Sequence, residues 1–243
     1  MTSRTSTRRW AVVQFPGSNC DLDTFKTFQA IAESTGNIEV IMHWHEEPIQ
    51  KNQYEVIALP GGFSFGDYLR AGAIAKLSAA VQNLEDVVEA GAHLIGICNG
   101  FQILLEQKLL PGYLQVNSHL RFISKTENVE IAAEAFPWFS KEDVGAVVRY
   151  PIAHRFGNYQ LQKIDLAEFH PVLKYQQNPN GSYESTAGIY RKLGKGSLFG
   201  LMPHPERAAF EALKLADGLK MFQRAEENLR ADRSGSHENA VNA

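Results

Sequence analysis

The chain has 243 residues, 44% of them hydrophobic and 21% charged, with a formal net charge of −3. That length suits one large α/β domain or two small ones, and the charge balance argues against nucleic acid or an anionic membrane as the main partner. No apolar stretch approaches the roughly 18 residues of a membrane span. Two cysteines exclude a disulfide framework and suit a reducing cytoplasm.

Met1 to Arg9 carries Arg4, Arg8 and Arg9 and no acid. The apolar run behind it, Trp10 to Val13, is too short for a signal peptide, so residues 1–8 read as a flexible tail. Trp10 to Phe15 predicts a strand, and Pro16-Gly17-Ser18-Asn19 a turn that opens a helix. That helix would bury Leu22, Phe25, Phe28 and Ala32 and stop at Gly36. Glu39 to Trp44 and Tyr54 to Leu59 read as strands, the second ending at Pro60-Gly61-Gly62. From Ala71 to Ala90, Ile74, Leu77, Val81, Leu84 and Val88 form one helical stripe closed by Gly91. His93 to Ile97 is a strand, and Gly100 to Leu109 a helix ended by Pro111-Gly112. Val144 to Ile152 predicts a further strand, and Ala187–Leu193 with Ser197–Met202 a hairpin turning at Gly194-Lys195-Gly196. A last amphipathic helix would run from about Ala208 to Arg230, before a polar tail over 232–243.

Strand–helix alternation implies βαβ units and a parallel sheet covered on both faces. The expected fold is a three-layer, flavodoxin-like α/β domain over 9–231, mostly parallel with an antiparallel extension.

In such sheets ligands bind beyond the carboxyl ends of the strands. Gly96-Ile97-Cys98-Asn99-Gly100 falls there, between a strand and a helix. A nucleophile on a sharp strand-to-helix turn brings the residues two before and two after it together, and glycine at both places removes the clash. The thiol also faces a helix N-terminus, which favours thiolate. Cys20 likewise follows a strand and opens a helix. Its neighbours at the same spacing are Ser18 and Leu22, and Leu22 belongs to the expected buried stripe, so no such turn fits it.

A cysteine nucleophile needs a base, and the base needs an orienting group. His204-Pro205-Glu206 follows the last expected strand at its carboxyl end. Pro205 favours an extended His204, and residues two apart in extended chain point the same way, so Glu206 would hold the imidazole. Gly61-Gly62 ends another strand at that edge, which makes the N–H groups of Gly62 and Asn99 candidate donors to an oxyanion. Gln102, one helical turn past Cys98, could bind the polar groups of a substrate.

The segments Gly96 to Gln102, Pro60-Gly61-Gly62 and His204-Pro205-Glu206 resemble the triad-type, class I glutamine amidotransferases. More narrowly, Pro16 to Asp21, Trp44 to Glu47, Pro60 to Ala75 and Met202 to Ala208 resemble the glutaminase subunits of phosphoribosylformylglycinamidine synthases. The likeness runs from Trp10 to about Gln223. It implies hydrolysis of L-glutamine by a Cys98, His204, Glu206 triad, with no cofactor or metal on this chain. It also implies a complex with a larger synthetase subunit, which would hold ATP and Mg²⁺, and with a small bridging subunit, in the cytoplasm. Where similar subunits continue Pro-Ile-Ala-His with Gly-Glu-Gly, this chain has Arg155-Phe156-Gly157 after His154. His43 and His45 lack a third metal ligand and read as strand residues. The competing reading is a cysteine peptidase or stress-response hydrolase on the same fold. Those proteins lack a His-Pro-Glu after the last strand.

Overall fold

Short β-branched and aromatic runs make the inner strands, and their burial on both faces explains why they read as continuous apolar segments. The computed structural model describes residues 7–67, 71–210 and 215–241, with side chains through residue 235. In chain order the strands are β1 (Arg8–Gln14), β2 (Ile38–Trp44), β3 (Val56–Leu59), β4 (His93–Ile97), β5 (Tyr113–Gln115), β6 (Ile123–Ile131), β7 (Val147–His154), β8 (Asn158–Gln160), β9 (Pro171–Tyr175), β10 (Thr186–Leu193) and β11 (Gly196–Leu201). The α-helices are α1 (Asp21–Thr35), α2 (Ala79–Gln82), α3 (Leu84–Glu89), α4 (Asn99–Glu106) and α5 (Asp217–Val241).

Nine strands form one sheet in the order β2-β1-β3-β4-β11-β10-β9-β6-β7, while β5 and β8 pair separately. Strands β2, β1, β3, β4 and β11 are parallel. The remaining four continue antiparallel, so the expected mixed sheet is the one the chain forms. Successive residues of β11 show the two covering layers, because strand side chains alternate faces. Phe199 stacks on Trp138, which meets Phe222 of α5 edge-on. A Cβ on the next residue, Gly200, would instead strike the Phe101 ring of α4 at 2.2 Å.

Several expected elements change. The stripe from Ala71 to Ala90 is broken into a 3₁₀ turn (Ala75–Leu77), α2 and α3, and Leu77 is 70% exposed. Ser78 takes an extended backbone there. Its hydroxyl meets His45 Nδ1 at 3.1 Å, and the Ala80 N–H donates to the His45 carbonyl, so tertiary bonds to the end of β2 replace helical ones. In α1 the buried residues are Asp21, Thr24, Thr27, Phe28 and Ile31, whereas Leu22 is 56% exposed. Threonine can be buried here because the Thr24 and Thr27 hydroxyls donate to the carbonyls of Cys20 and Asp23. No strand is expected between 113 and 143, yet β5 and β6 form there. β6 alternates buried and exposed residues with a polar outer face, which masks its apolar side. Val144, the expected start of the next strand, lies outside β7 and is exposed.

Pro205–Ala208 is a 3₁₀ turn, and α5 starts only at Asp217 and continues past Asp232 to Val241. Residues 1–6, most of the expected tail, lie outside the described residues. Arg8 opens β1 and is buried. Its guanidinium bonds Glu226 of α5 at 2.7 Å and Glu55 at 2.7 Å, tying the outermost helix to the sheet. Removing one partner of a buried pair strands the other charge in a low-dielectric interior. Arg8→Ala is therefore expected to lower the unfolding free energy by about 3–5 kcal/mol in urea titrations. Arg230, 3.9 Å from Glu226 but largely exposed, is too solvated to replace Arg8, and a loss under about 1 kcal/mol would contradict that.

Candidate active site

The turn at Cys98 has the backbone its flanking glycines predict. Cys98 sits at φ 49°, ψ −100°, between the end of β4 and the start of α4. A Cβ on Gly100 would lie 2.0 Å from the Leu59 carbonyl oxygen, and one on Gly96 2.8 Å from the Gly100 backbone. No real side chain fits either place. The Cys98 N–H donates to the Leu201 carbonyl at 2.7 Å, and the Gln102 N–H donates to the Cys98 carbonyl. The nucleophile candidate is thus fixed between β11 and the first turn of α4.

His204 comes from the end of β11. Its N–H donates to the Pro151 carbonyl of β7, and its buried ring places Nδ1 2.6 Å from Glu206 Oε1. The sequence argument expected extended chain to align these side chains. Instead Pro205 occupies the first position of a 3₁₀ turn, where its fixed φ is already helical, and the turn swings the carboxylate round to the ring. Helix α1 holds that turn: Thr27 Oγ1 donates to the Glu206 carbonyl at 3.4 Å, and Arg207 Nε meets Asp23 Oδ2 at 3.1 Å. Burial opposes a charge on His204. The Glu206 carboxylate outweighs it, with the thiols of Cys98 and Cys20 acting the same way, and holds the imidazole well above its usual value. His204 Nε2 and Glu206 Oε2 are buried without hydrogen-bond partners.

Cys20 forms no elbow, as its flanking Ser18 and Leu22 predict: its backbone sits at φ −106°, ψ 4°. Leu22, expected in the buried stripe, faces outward instead. Cys20 is itself buried, and its thiol lies beside His204. Gly61 makes room for both, since a Cβ there would come within 2.6 Å of His204 Cε1 and 3.2 Å of Cys20 Sγ. The available signal was position alone: Cys20 follows β1 at the same carboxyl edge as Cys98 and His204.

Gly62, at φ 138°, abuts Asn19, and Ser64, two residues on, donates its N–H to Asn99 Oδ1 at 3.1 Å. Asn99 Nδ2 in turn donates to Gln102 Oε1 at 2.9 Å and to Asp67 Oδ1 at 3.2 Å. Gln102 Nε2 reaches the Phe156 carbonyl at 3.0 Å, so the residues after His154 join the wall of the site through their backbone. His154 is buried and its Nδ1 is 3.1 Å from Asn117 Oδ1, which also accepts the Gly157 N–H. Burial, together with charge on His204 and His119, lowers His154 to about 4. His43 is held by Tyr54 and the Glu47 carbonyl, and His45 by Ser78, as befits strand-end residues.

Burial raises Asp67 to about 6 from an ordinary 3.8, against the Asn99 hydrogen bond that lowers it. The native state then keeps a proton that the unfolded chain has lost, so this group makes stability fall as pH rises from about 4 through about 6. Asp67→Asn is expected to raise the melting temperature above that window and to flatten the decline within it. Thermal melts in a pH series check this, and an unaltered pH dependence would refute the burial of a charged Asp67.

The CobB/CobQ-like glutamine amidotransferase domain matches residues 7–227. The chain is similar to a chain of the PurLQS structure from Thermotoga maritima, at 38% identity and a TM-score of 0.82, covering 92% of this chain and 99% of that one. It also shares its fold with the Trypanosoma brucei CTPS glutaminase domain with bound acivicin, at 14% identity and a TM-score of 0.58, covering 91% and 94% of the two chains. A β-galactosidase from Bacillus circulans sp. alkalophilus shares the fold at 10% identity and a TM-score of 0.52, covering 94% of this chain and 31% of that one. With the elbow cysteine and the His204–Glu206 pair standing at one sheet edge, the chain belongs to the CobB/CobQ-like glutamine amidotransferase domain family.

Proposed function

We propose that this chain is the glutaminase subunit of a phosphoribosylformylglycinamidine synthase, its catalytic domain spanning 9–231. It hydrolyses L-glutamine to glutamate and ammonia. A larger synthetase subunit, holding ATP and Mg²⁺ and joined through a small bridging subunit, uses that ammonia to convert formylglycinamide ribonucleotide to formylglycinamidine ribonucleotide in purine synthesis. The reading places the work in the cytoplasm; among the described residues no helix is long and apolar enough to cross a membrane. The observation that carries the proposal is the strained Cys98 turn beside a buried His204–Glu206 pair, in a chain 38% identical to its PurLQS counterpart.

In this mechanism the Cys98 sulfur attacks the side-chain carbonyl carbon of glutamine. The N–H groups of Gly62 and Asn99 receive the oxyanion. His204, kept charged by Glu206, gives its Nε2 proton to the leaving nitrogen, and ammonia departs from a thioester. The ring then takes a proton from water as that water attacks, and collapse releases the glutamate product and returns the sulfur, without a proton, beside the charged ring. Gln102, already bonded to Asn99 and the Phe156 carbonyl, shapes the wall that meets the substrate's polar end.

His204→Ala is expected to lower glutamine hydrolysis at least about 10³-fold in a folded protein, and Glu206→Gln to lower it less, because removing an orienter costs less than removing the base. Steady-state rates with circular dichroism as the folding control decide it; full activity in Glu206→Gln would refute the pair's role. The Gly62 donor adjoins a loop whose Phe63 is exposed, which suits completion by a partner subunit. Adding the synthetase, the bridging subunit and nucleotide should raise hydrolysis about 10²–10³-fold, the worth of one oxyanion donor. A Cys98→Ser complex should still form product from ammonium salts. Full-rate hydrolysis by the lone chain, or a Cys98→Ser complex inert to ammonium, would contradict the scheme.

A further inference from the structure

The mechanism leaves one buried thiol unused, and that thiol stands against its base. Cys20 is free, and one ligand atom each from Cys20, His204 and Glu206 lies within 4.8 Å of the other two. The sulfur stands close to the His204 ring, whose Nδ1 Glu206 already holds. A Cβ on Gly61 would sit 3.1 Å from His204 Nδ1 and 3.2 Å from Cys20 Sγ, so both border the same small space. Independently, Glu206 Oε2 is fully buried with no hydrogen-bond partner, a carboxylate oxygen whose lone pairs the fold leaves unmet. Sulfur, imidazole nitrogen and carboxylate oxygen together are the donor set of zinc. Zinc bond lengths of about 2.0–2.3 Å set tetrahedral ligands roughly 3.3–3.6 Å apart, so a pair 4.8 Å apart closes by about 1 Å, while His204 Nδ1 and Glu206 Oε1, 2.6 Å apart without the ion, open by a similar amount.

We propose that Cys20, His204 and Glu206 form an inhibitory site for a borderline-soft divalent cation such as Zn²⁺. The cation takes the Nδ1 lone pair of His204, one oxygen of Glu206 and the Cys20 sulfur as thiolate. Two protons leave to solvent, one from Nδ1 of the imidazolium and one from the Cys20 thiol, and nothing is oxidised or reduced. The ring keeps its single proton on Nε2. It has no lone pair there to accept a proton, and surrendering the one it holds would leave an imidazolate, so it serves neither as acid nor as base. Binding tightens as pH rises, because protons are released. Mg²⁺ and Ca²⁺, which favour all-oxygen sites, should not substitute. The inhibitory consequence rests on the glutaminase reading; the binding itself does not.

The test uses the full chain in chelator-buffered Zn²⁺. Equilibrium dialysis should find one zinc per chain, and Cys20→Ala and Cys20→Ser should each weaken binding at least about tenfold while melting as folded proteins. Co²⁺ should give a thiolate-to-cobalt charge-transfer absorption that Cys20→Ala loses. Zinc should suppress glutamine hydrolysis, and Cys20→Ala should need at least about tenfold more zinc for the same fractional loss. Equal zinc affinity in both Cys20 variants and the wild type would overturn the site, as would binding abolished by Cys98→Ser but kept in Cys20→Ala. Zinc bound through Cys20 in a chain that never hydrolyses glutamine would sink the glutaminase reading and leave the metal site standing.

Discussion

The parallel register of β3, β4 and β11 governs where every reacting group stands. Leu59 and Gly200 both lie opposite Gly96, so three strands end together. Their continuations, Pro60-Gly61-Gly62, Cys98 and His204, emerge at one edge as a consequence. The register also forces the Leu59 carbonyl against Gly100, and only a residue without Cβ tolerates that contact. The strain at Cys98 is therefore a product of sheet pairing, held in place by the hydrogen bond from its N–H to Leu201. Shifting any of the three strands by one residue would turn the side chains to the other face and separate thiol from imidazole.

Electrostatics at that edge follows from how thoroughly it is buried. An imidazole in an apolar interior resists charge, and here an adjacent buried carboxylate overrides that resistance. The same carboxylate would itself be unfavourable without the ring. Each group makes the other tolerable, and the 3₁₀ turn opened by Pro205 keeps them together. Support comes from elements far apart in the chain: Thr27 and Asp23 of α1 hold the turn from one side, and Pro151 of β7 from another. The antiparallel extension thus completes the site as well as the sheet.

Much of this was legible beforehand. Continuous apolar runs marked the parallel strands, and β4 falls on the predicted residues. The glycine spacing around Cys98 predicted a turn that the backbone confirms, because close approach leaves an unambiguous mark in residue choice. The pairing of His204 with Glu206 was legible too, although for the wrong geometric reason. What escaped were elements defined by contacts distant in sequence. Ser78 leaves the helical path for His45, an exchange of local for tertiary hydrogen bonds that periodicity cannot reveal. β6 buries Val129 and Ile131 on the face that also carries Lys125 and the buried Glu127, so charge interrupts its apolar side.

The amino-acid sequence by itself determined the alternation of elements, the elbow around Cys98 and the carboxyl-edge position of His204-Pro205-Glu206, all of which are local patterns of size and turn chemistry. Only the tertiary structure decided that Cys20 belongs to the same cluster. Its place depends on which face of α1 turns inward, and that was settled by threonines whose hydroxyls bond back to the helix. Burial of a helix face is chosen by the surface it meets, and that surface joins the neighbouring strands β1 and β2 to α5 and the 205–208 turn, nearly two hundred residues away.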